Sequence, residues 1–516
     1  MAVALGCALV VASIAFAWRR EARPRTWAAG EVPVTFWAWR DELPAEAEVE
    51  RAAREARARA LFVRAGQLHA EGRKVVRVRA PRGKYPRALP VHLVYNATRG
   101  LLASFGELDA AALAAAIEET FKEDSRRAAC DGARVAGLQL DLDVPTRMLT
   151  RYGELVGVLR GRLPRDSQLS VTGLPTWMES RSLAGVLAVV DFWIPQFYGA
   201  RIPRHLGERL PVSSSASVAA GVERARKLGH PFYAGLAAYG YAALYSERGA
   251  LIEIRGDIDP ALVARNPNFD LVESAPFEAT PGASRWRYVF RAREDTSIEG
   301  LHARAGESLA LDVPGAGALR SDLRAVRERA GERLLGICLF RLPASDDPTT
   351  LTPTQIASAL ADTEATGETT VRLEAPDAGG DGGGASPERL TLSVENAGAA
   401  EALLGGAITV TVGFPAGSVR GVLSLENFTN VETLCGAGTR GFATPAPCGP
   451  RRADAVRLSA PAWRPGATAR VSLSVAGRLP AELDVDVRVL AEDGRVRQTA
   501  RRVRVERGAT KDERKF

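Results

Sequence analysis

Val135-Ala-Gly-Leu-Gln-Leu-Asp-Leu-Asp-Val144 alternates with a period of two. Ala136, Leu138, Leu140, Leu142 and Val144 share one face; Val135, Gly137, Gln139, Asp141 and Asp143 share the other. Successive side chains of an extended chain point to opposite sides, so this is the pattern of a strand. One face is apolar enough to pack beneath helices, and the other ends in an amide and two carboxylates. With a rise of roughly 3.3 Å per residue, Asp141 and Asp143 stand about 6–7 Å apart. Pro145 ends the run. In a parallel β/α barrel, that end of a strand is where chemistry sits. A lone Asp there reads most simply as a solvated strand end or a helix cap. Three polar groups on one face of an otherwise apolar strand read as a site.

On both sides of this strand the chain keeps the same texture. Apolar runs at Val34–Trp39, Ala60–Ala65, Val75–Val78, Pro90–Tyr95, Gln168–Leu174, Val189–Tyr198, Phe232–Ala238 and Leu334–Leu342 alternate with helical patterns. The clearest helices are Glu46–Arg59, Asp109–Arg127, Met148–Arg162, Ser217–Leu228 and Pro353–Ala361. Strand and helix in alternation mean parallel β/α packing. About eight such strands predict a (β/α)8 TIM barrel over residues 31–365. The stretch between Ala242 and Glu332 is too long and mixed for one β/α unit and reads as an insertion. Near Ala365 the helical patterns stop. Gly379–Ser386 is glycine-rich and flexible in composition, and seven short alternating segments follow or flank it. They predict a C-terminal β-sandwich over 366–510, with 511–516 as a tail and the charged stretch from Arg501 fraying.

The 516 residues exceed what one core accommodates, in keeping with two domains. The net charge of +7 comes from arginines spread along the chain without a dense basic block, so nucleic acid is not an expected partner. Residues 1–30 form a leader. Met1–Trp18 lacks charged side chains, Ala15-Phe-Ala17 resembles a cleavage site, and Arg19, Arg20, Arg23 and Arg25 follow. A signal peptide fits, although the basic n-region is missing; an uncleaved leader would instead anchor the chain to a membrane. Either way the expected location is outside the cytoplasm: periplasmic, secreted or membrane-anchored. Cys435 and Cys448 lie thirteen apart in a Gly/Pro-rich stretch, a spacing that suits a disulfide in an exported protein. Cys130 and Cys338 read as buried thiols. With five histidines and no C-x-x-C, neither a metal nor another cofactor is expected.

A second site-like stretch is Val190-Asp-Phe-Trp-Ile-Pro-Gln-Phe-Tyr-Gly199. Ile194, Gln196 and Tyr198 share a face, two strands on from Asp141 and Asp143, and strands of like parity feed the same interior layers. Aromatics crowd the other strand ends: Trp37 and Trp39 after the first, Tyr95 after the third, Trp177 after the fifth, Tyr239 after the seventh. Flat aromatic faces beside polar groups suit a polyhydroxylated ligand. Gln139, Gln196, Trp37, Trp39, Tyr95, Trp177 and Tyr239 are therefore candidate substrate-binding residues, and Asp143, Asp141 and Tyr198 candidate catalytic ones.

Gly137-Leu-Gln-Leu-Asp-Leu-Asp143 resembles the fourth-strand D-G-x-D-x-D-x-E motif of family 18 glycoside hydrolases, the chitinase-type barrels. Asp141 matches the last Asp, and Asp143 takes the place of the catalytic Glu. Pro195-Gln-Phe-Tyr198 is similar to the sixth-strand Q-F-Y of the plant-type members. The resemblance implies an acid at position 143 that protonates the leaving oxygen, with Asp141 and Tyr198 holding an N-acetyl group of the substrate that acts as nucleophile. Ala136 and Gln139 replace the first two Asp, and the eighth-strand Gly336-Ile-Cys-Leu-Phe-Arg341 lacks the Trp usual under the sugar. The barrel as a whole, including Phe36-Trp-Ala-Trp-Arg-Asp41 and Phe340-Arg-Leu-Pro343, also resembles a bacterial domain family of unknown function, which implies no chemistry. Two functions follow as expectations. One is an exported glycosidase-like enzyme acting on a cell-envelope or environmental polysaccharide. The other is a non-catalytic glycan-binding or structural envelope protein.

Overall fold

The computed structural model describes residues 26–199, 201–277, 285–344, 346–376, 388–436, 446–477 and 479–508. The leader with Cys7 and Ala15-Phe-Ala17, and the Gly379–Ser386 stretch, lie outside the described residues. The chain divides into two compact units, one of residues 1–240 and 317–363, the other of 241–316 and 364–516.

The first unit is a closed parallel barrel. Its strands are β1 (Val34–Ala38), β2 (Ala58–Glu71), β3 (Val91–Ala97), β4 (Val135–Asp141), β5 (Gln168–Gly173), β6 (Phe192–Pro195), β7 (Phe232–Ala237) and β8 (Leu334–Phe340). Each pairs with the next, and β8 pairs with β1 to complete the ring. Lys74–Val78 is not a barrel strand: it folds back antiparallel on the long end of β2. Helices close the outside. Asp109 caps the helix Ala110–Cys130 by accepting from Ala112 N at 2.8 Å, and Leu113, Ile117 and Phe121, four residues apart, bury one stripe against the sheet. Thr352 and Gln355 form a reciprocal capping box on Pro353–Leu360. Cys130 ends its helix exposed rather than buried, on the side away from the buried Ala128; Cys338 is fully enclosed.

The interior of the barrel is filled in layers, as the side chains of a small closed sheet must fill it. Its floor is aromatic. Phe62 of β2 stacks on His92 of β3 with centroids 4.5 Å apart, and Phe192 of β6 and Tyr233 of β7 meet them edge-on. Above lies Trp37 of β1, 6.3 Å from Phe62, whose ring uses the space left by Gly235: a Cβ there would sit 3.3 Å from the indole. Its Nε1 donates to Gln139 Oε1 at 2.8 Å, and Gln139 Nε2 donates to Ser170 Oγ at 3.2 Å.

The second unit is built from strands. Residues 241–314 give a five-stranded antiparallel sheet in the order Leu251–Arg255, Tyr241–Tyr245, Ser308–Pro314, Arg285–Ala292, Phe269–Pro276. Its core is shared with Leu403, Leu404 and Ala462, and Leu404 N–H donates to Tyr288 Oη at 3.4 Å. The C-terminal strands form a ten-stranded sheet curled into a sandwich. Val496–Gly508 joins its two halves, pairing antiparallel with Glu482–Leu490 and, further on, parallel with Thr369–Pro376. The expected fraying from Arg501 is thus corrected. Val505 turns into the core, while Arg502 reaches Asp484 at 3.2 Å on the outside. Cys435 and Cys448 are bonded, with Cα atoms 5.9 Å apart.

Candidate functional site

Register fixes what reaches the C-terminal mouth of the barrel. Gln139 points inward, so Asp141, two residues on, does the same. Asn96 of β3 is its cross-strand partner. Past the end of β4, Leu142 and Val144 remain buried and Asp143 emerges exposed between them. On β6, Phe192 lies in the floor, which puts Gln196 and Tyr198 on the inward side; Phe197 turns out against Gly221 of the helix Ser215–Lys227.

The two carboxylates differ. Asp141 Oδ1 accepts from Thr172 Oγ1 at 2.6 Å, and the residue is half-buried. Desolvation, with the nearby charge of Asp143 second, pushes its pKa up to about 7. Asp143 accepts no hydrogen bond from any described residue and stays in contact with solvent. Desolvation raises it in the same direction. The two carboxyls are coupled, and burial pushes both toward their neutral forms.

Around them stands an aromatic wall. Tyr198 lies 6.1 Å from Tyr239 and 5.9 Å from Phe340, ring centre to ring centre, and Phe340 lies 5.9 Å from Trp39 and 5.2 Å from Tyr239. Burial first, then the fields of Tyr239, Asp141 and Asp143, hold Tyr198 far above the ordinary phenol range, so it is a fixed hydrogen-bond donor. The mouth thus gathers Asp141, Asp143, Gln196, Tyr198, Tyr239 and Trp39.

Four sequence candidates lie elsewhere. Trp37 and Gln139 satisfy each other one layer down, both almost without solvent contact. Tyr95 shares a face with Val91 and Leu93, so it points out to the helices, where its hydroxyl donates to the buried Asp124 at 2.8 Å. Asp124 also pairs with Arg77. Trp177 is fully buried; its Nε1 donates to Val144 O at 3.0 Å and its ring meets Tyr152. Neither Tyr95 nor Trp177 is on the rim.

Two mouth residues escaped the sequence reading. Phe340 ends β8, and simple alternation along Leu334–Phe340 would have found it. Arg64 sits in an apolar run with the parity of Phe62, hence inward. Its Nη1 is 2.5 Å from Asp41 Oδ1, its Nε donates weakly to Asn96 Oδ1 at 3.4 Å, and its guanidinium lies 5.8 Å from the centre of the Trp39 ring. Its charge acts on Asp141. A charged residue inside an otherwise apolar strand was the available signal. Among the described residues no group of three or more His, Cys, Asp or Glu could hold a metal ion.

A domain of unknown function (DUF3142) matches residues 98–266, which include β4, β6 and their carboxylates and phenol. The structure is similar to a chitinase from Chromobacterium violaceum (17% identity, TM-score 0.41, covering 64% of this chain and 98% of that one). It is also similar to the spore cortex-lytic enzyme SleL of Bacillus cereus (16%, 0.42, 66% and 75%) and to a chitinase-like agglutinin of Robinia pseudoacacia (11%, 0.38, 64% and 99%). No curated protein matches the sequence.

Proposed function

We propose that the barrel mouth takes a glycan and cleaves it, with Asp143 as general acid. The observation that carries this is the inward pair of carboxyls, one anchored and proton-holding, one open, beneath a wall of Tyr198, Tyr239, Phe340 and Trp39. Hydrolysis of a glycosidic bond needs an acid that gives a proton to the leaving oxygen as the C1–O bond breaks. Asp143 is the carboxyl that a substrate can touch. Desolvation raises Asp143 and so favours the protonated form that can give its proton to the leaving oxygen. Tyr198 donates to the substrate and fixes its approach. The motif resemblance supports an N-acetylated sugar, whose acetyl oxygen would attack C1 from the opposite side. Export, by the uncharged leader and in keeping with the Cys435–Cys448 bond, would bring the protein to envelope or environmental polysaccharide.

The second reading is a glycan-binding barrel without turnover. Asp143 is one methylene shorter than the Glu of the resembling motif, and that specific difference favours it. One experiment separates the two: purified protein is incubated with a panel of envelope and N-acetylated glycans, and both binding and new reducing ends are measured. Release of reducing ends that Asp143→Asn abolishes, with binding retained, supports the enzyme. Tight binding with no release by the wild type ends the enzymatic reading and leaves the binder.

A further inference from the structure

The stretch Phe36-Trp-Ala-Trp-Arg-Asp41 and the mouth arginine belong together. Arg64 is deeply enclosed, its side chain 10% exposed, whereas that of Asp41 is 53% exposed. The ion pair is therefore lopsided: the negative end is screened by water and the positive end is not. Arg64 spends Nη1 on Asp41 and Nε on Asn96, and its Nη2 finds no acceptor among the described residues. A guanidinium so deprived of water, with donors unspent and the flat face of Trp39 beside it, is built to meet an acceptor that arrives from outside. A carboxylate suits best, because a charged acceptor makes the stronger, charge-assisted bond to the free Nη2 N–H groups.

We propose that Arg64 makes the barrel mouth selective for a glycan unit that carries a carboxylate, such as a uronic acid or a sugar with a carboxylic ether. This rests on the reading of the mouth as a glycan site. The acidic unit sits at the β1–β3 side of the mouth, its ring against Trp39 and its carboxylate on Arg64. Asp143 lies further round the ring of strands, so the bond to be cleaved is next to the acidic unit and not within it.

The test uses the full-length protein and acidic oligosaccharides, uronic-acid polymers and muramic-acid-containing glycan chains, each paired with its carboxyl-reduced form. The wild type is expected to bind at least one acidic glycan about tenfold or more tightly than its reduced partner, the worth of a charge-assisted hydrogen bond. Arg64→Gln should erase that ratio and Arg64→Lys should restore part of it. Asp41→Asn, which removes the counter-charge without touching the donors, should increase the ratio. That opposite shift keeps the idea testable even where Arg64→Gln folds poorly. Equal binding of acidic and reduced forms by the wild type, or a preference that survives in Arg64→Gln, overturns the proposal while leaving the glycan site standing. Failure to bind any glycan of either form removes the glycan site, and this proposal with it.

Discussion

His92 in the floor of the barrel and Asp141 in its mouth are both deprived of water, and burial drives each toward its neutral form. His92 is pushed down to about 4 and Asp141 up to about 7. The floor achieves this with Phe62 stacked on the imidazole and Phe192 edge-on to it, and leaves His92 Nδ1 without a partner among the described residues. The mouth does it with one hydroxyl, Thr172, and a second carboxyl left facing solvent. The same physics therefore yields an inert plug at one level and a proton store a few residues higher. What separates them is whether an unsatisfied group can be reached.

If that division holds, floor substitutions alter stability without altering binding per folded molecule, and substitution of the open carboxyl in the mouth alters chemistry without altering stability. The largest effect belongs to the floor. Phe62→Ala removes a ring at 1% exposure and should cost about 3–5 kcal/mol of stability, seen in urea unfolding, while glycan binding per folded molecule stays as it was.

The pH behaviour comes next, and here the two levels should oppose each other. The fold favours neutral His92, so stability is whole above the ordinary value of 6.5 and is lost as pH falls from there through about 4. The shift corresponds to about 3 kcal/mol. The fold also favours neutral Asp141. That contribution is whole below the ordinary 3.8 and is lost as pH rises through about 7. Across the shared window the slopes cancel in part. His92→Phe should leave stability falling as pH rises, and Asp141→Asn should leave it falling as pH drops. Identical pH profiles for both variants would show that the two levels are not distinguished in this way.

Asp143→Asn sharpens the comparison from the other side. Turnover should drop by about 100-fold or more, as expected for loss of a general acid, with the melting temperature unmoved because the carboxyl is exposed and unbonded. A large change in melting temperature would make Asp143 structural.

The smallest effect is expected at the rim. Arg40 holds Asp346 through two hydrogen bonds of 2.6 and 2.7 Å, but both side chains are largely in water. Arg40→Ala should shift stability by less than about 1 kcal/mol.

The barrel was legible because its strands announce themselves by parity. Gln139, Asp141 and Asp143 share a face with nothing apolar larger than a valine, and Gln196 and Tyr198 could be placed against them by counting strands. Tyr95 was not legible. Val91-His-Leu-Val-Tyr95 is apolar on both faces, since the outer face packs under a helix and the inner one fills the barrel. Only His92 and Asn96 hinted at which was which. Trp177 lies in the turn Pro175–Glu179, past the strand, where alternation has no authority. Val75–Val78 has the composition of a barrel strand, and only the tight turn at Gly72 returns it antiparallel. Arg64 was hidden for the opposite reason: one charge in an apolar run looks like an interruption until the barrel closes around it.

The interleaving of the two units sets a timetable for synthesis. Tyr241–Ala316 leaves the ribosome with the core of its sheet still short of Leu403, Leu404 and Ala462. Before those arrive, β8 and the helix Pro353–Leu360 must be made, which is also when the barrel can first close. At about 5–20 residues per second, the roughly ninety residues from Ala316 to Leu404 take about 5–18 s. For that interval an apolar sheet face waits unpaired. A nascent chain of this design is open to misassembly for that interval unless a chaperone covers Tyr241–Ala316.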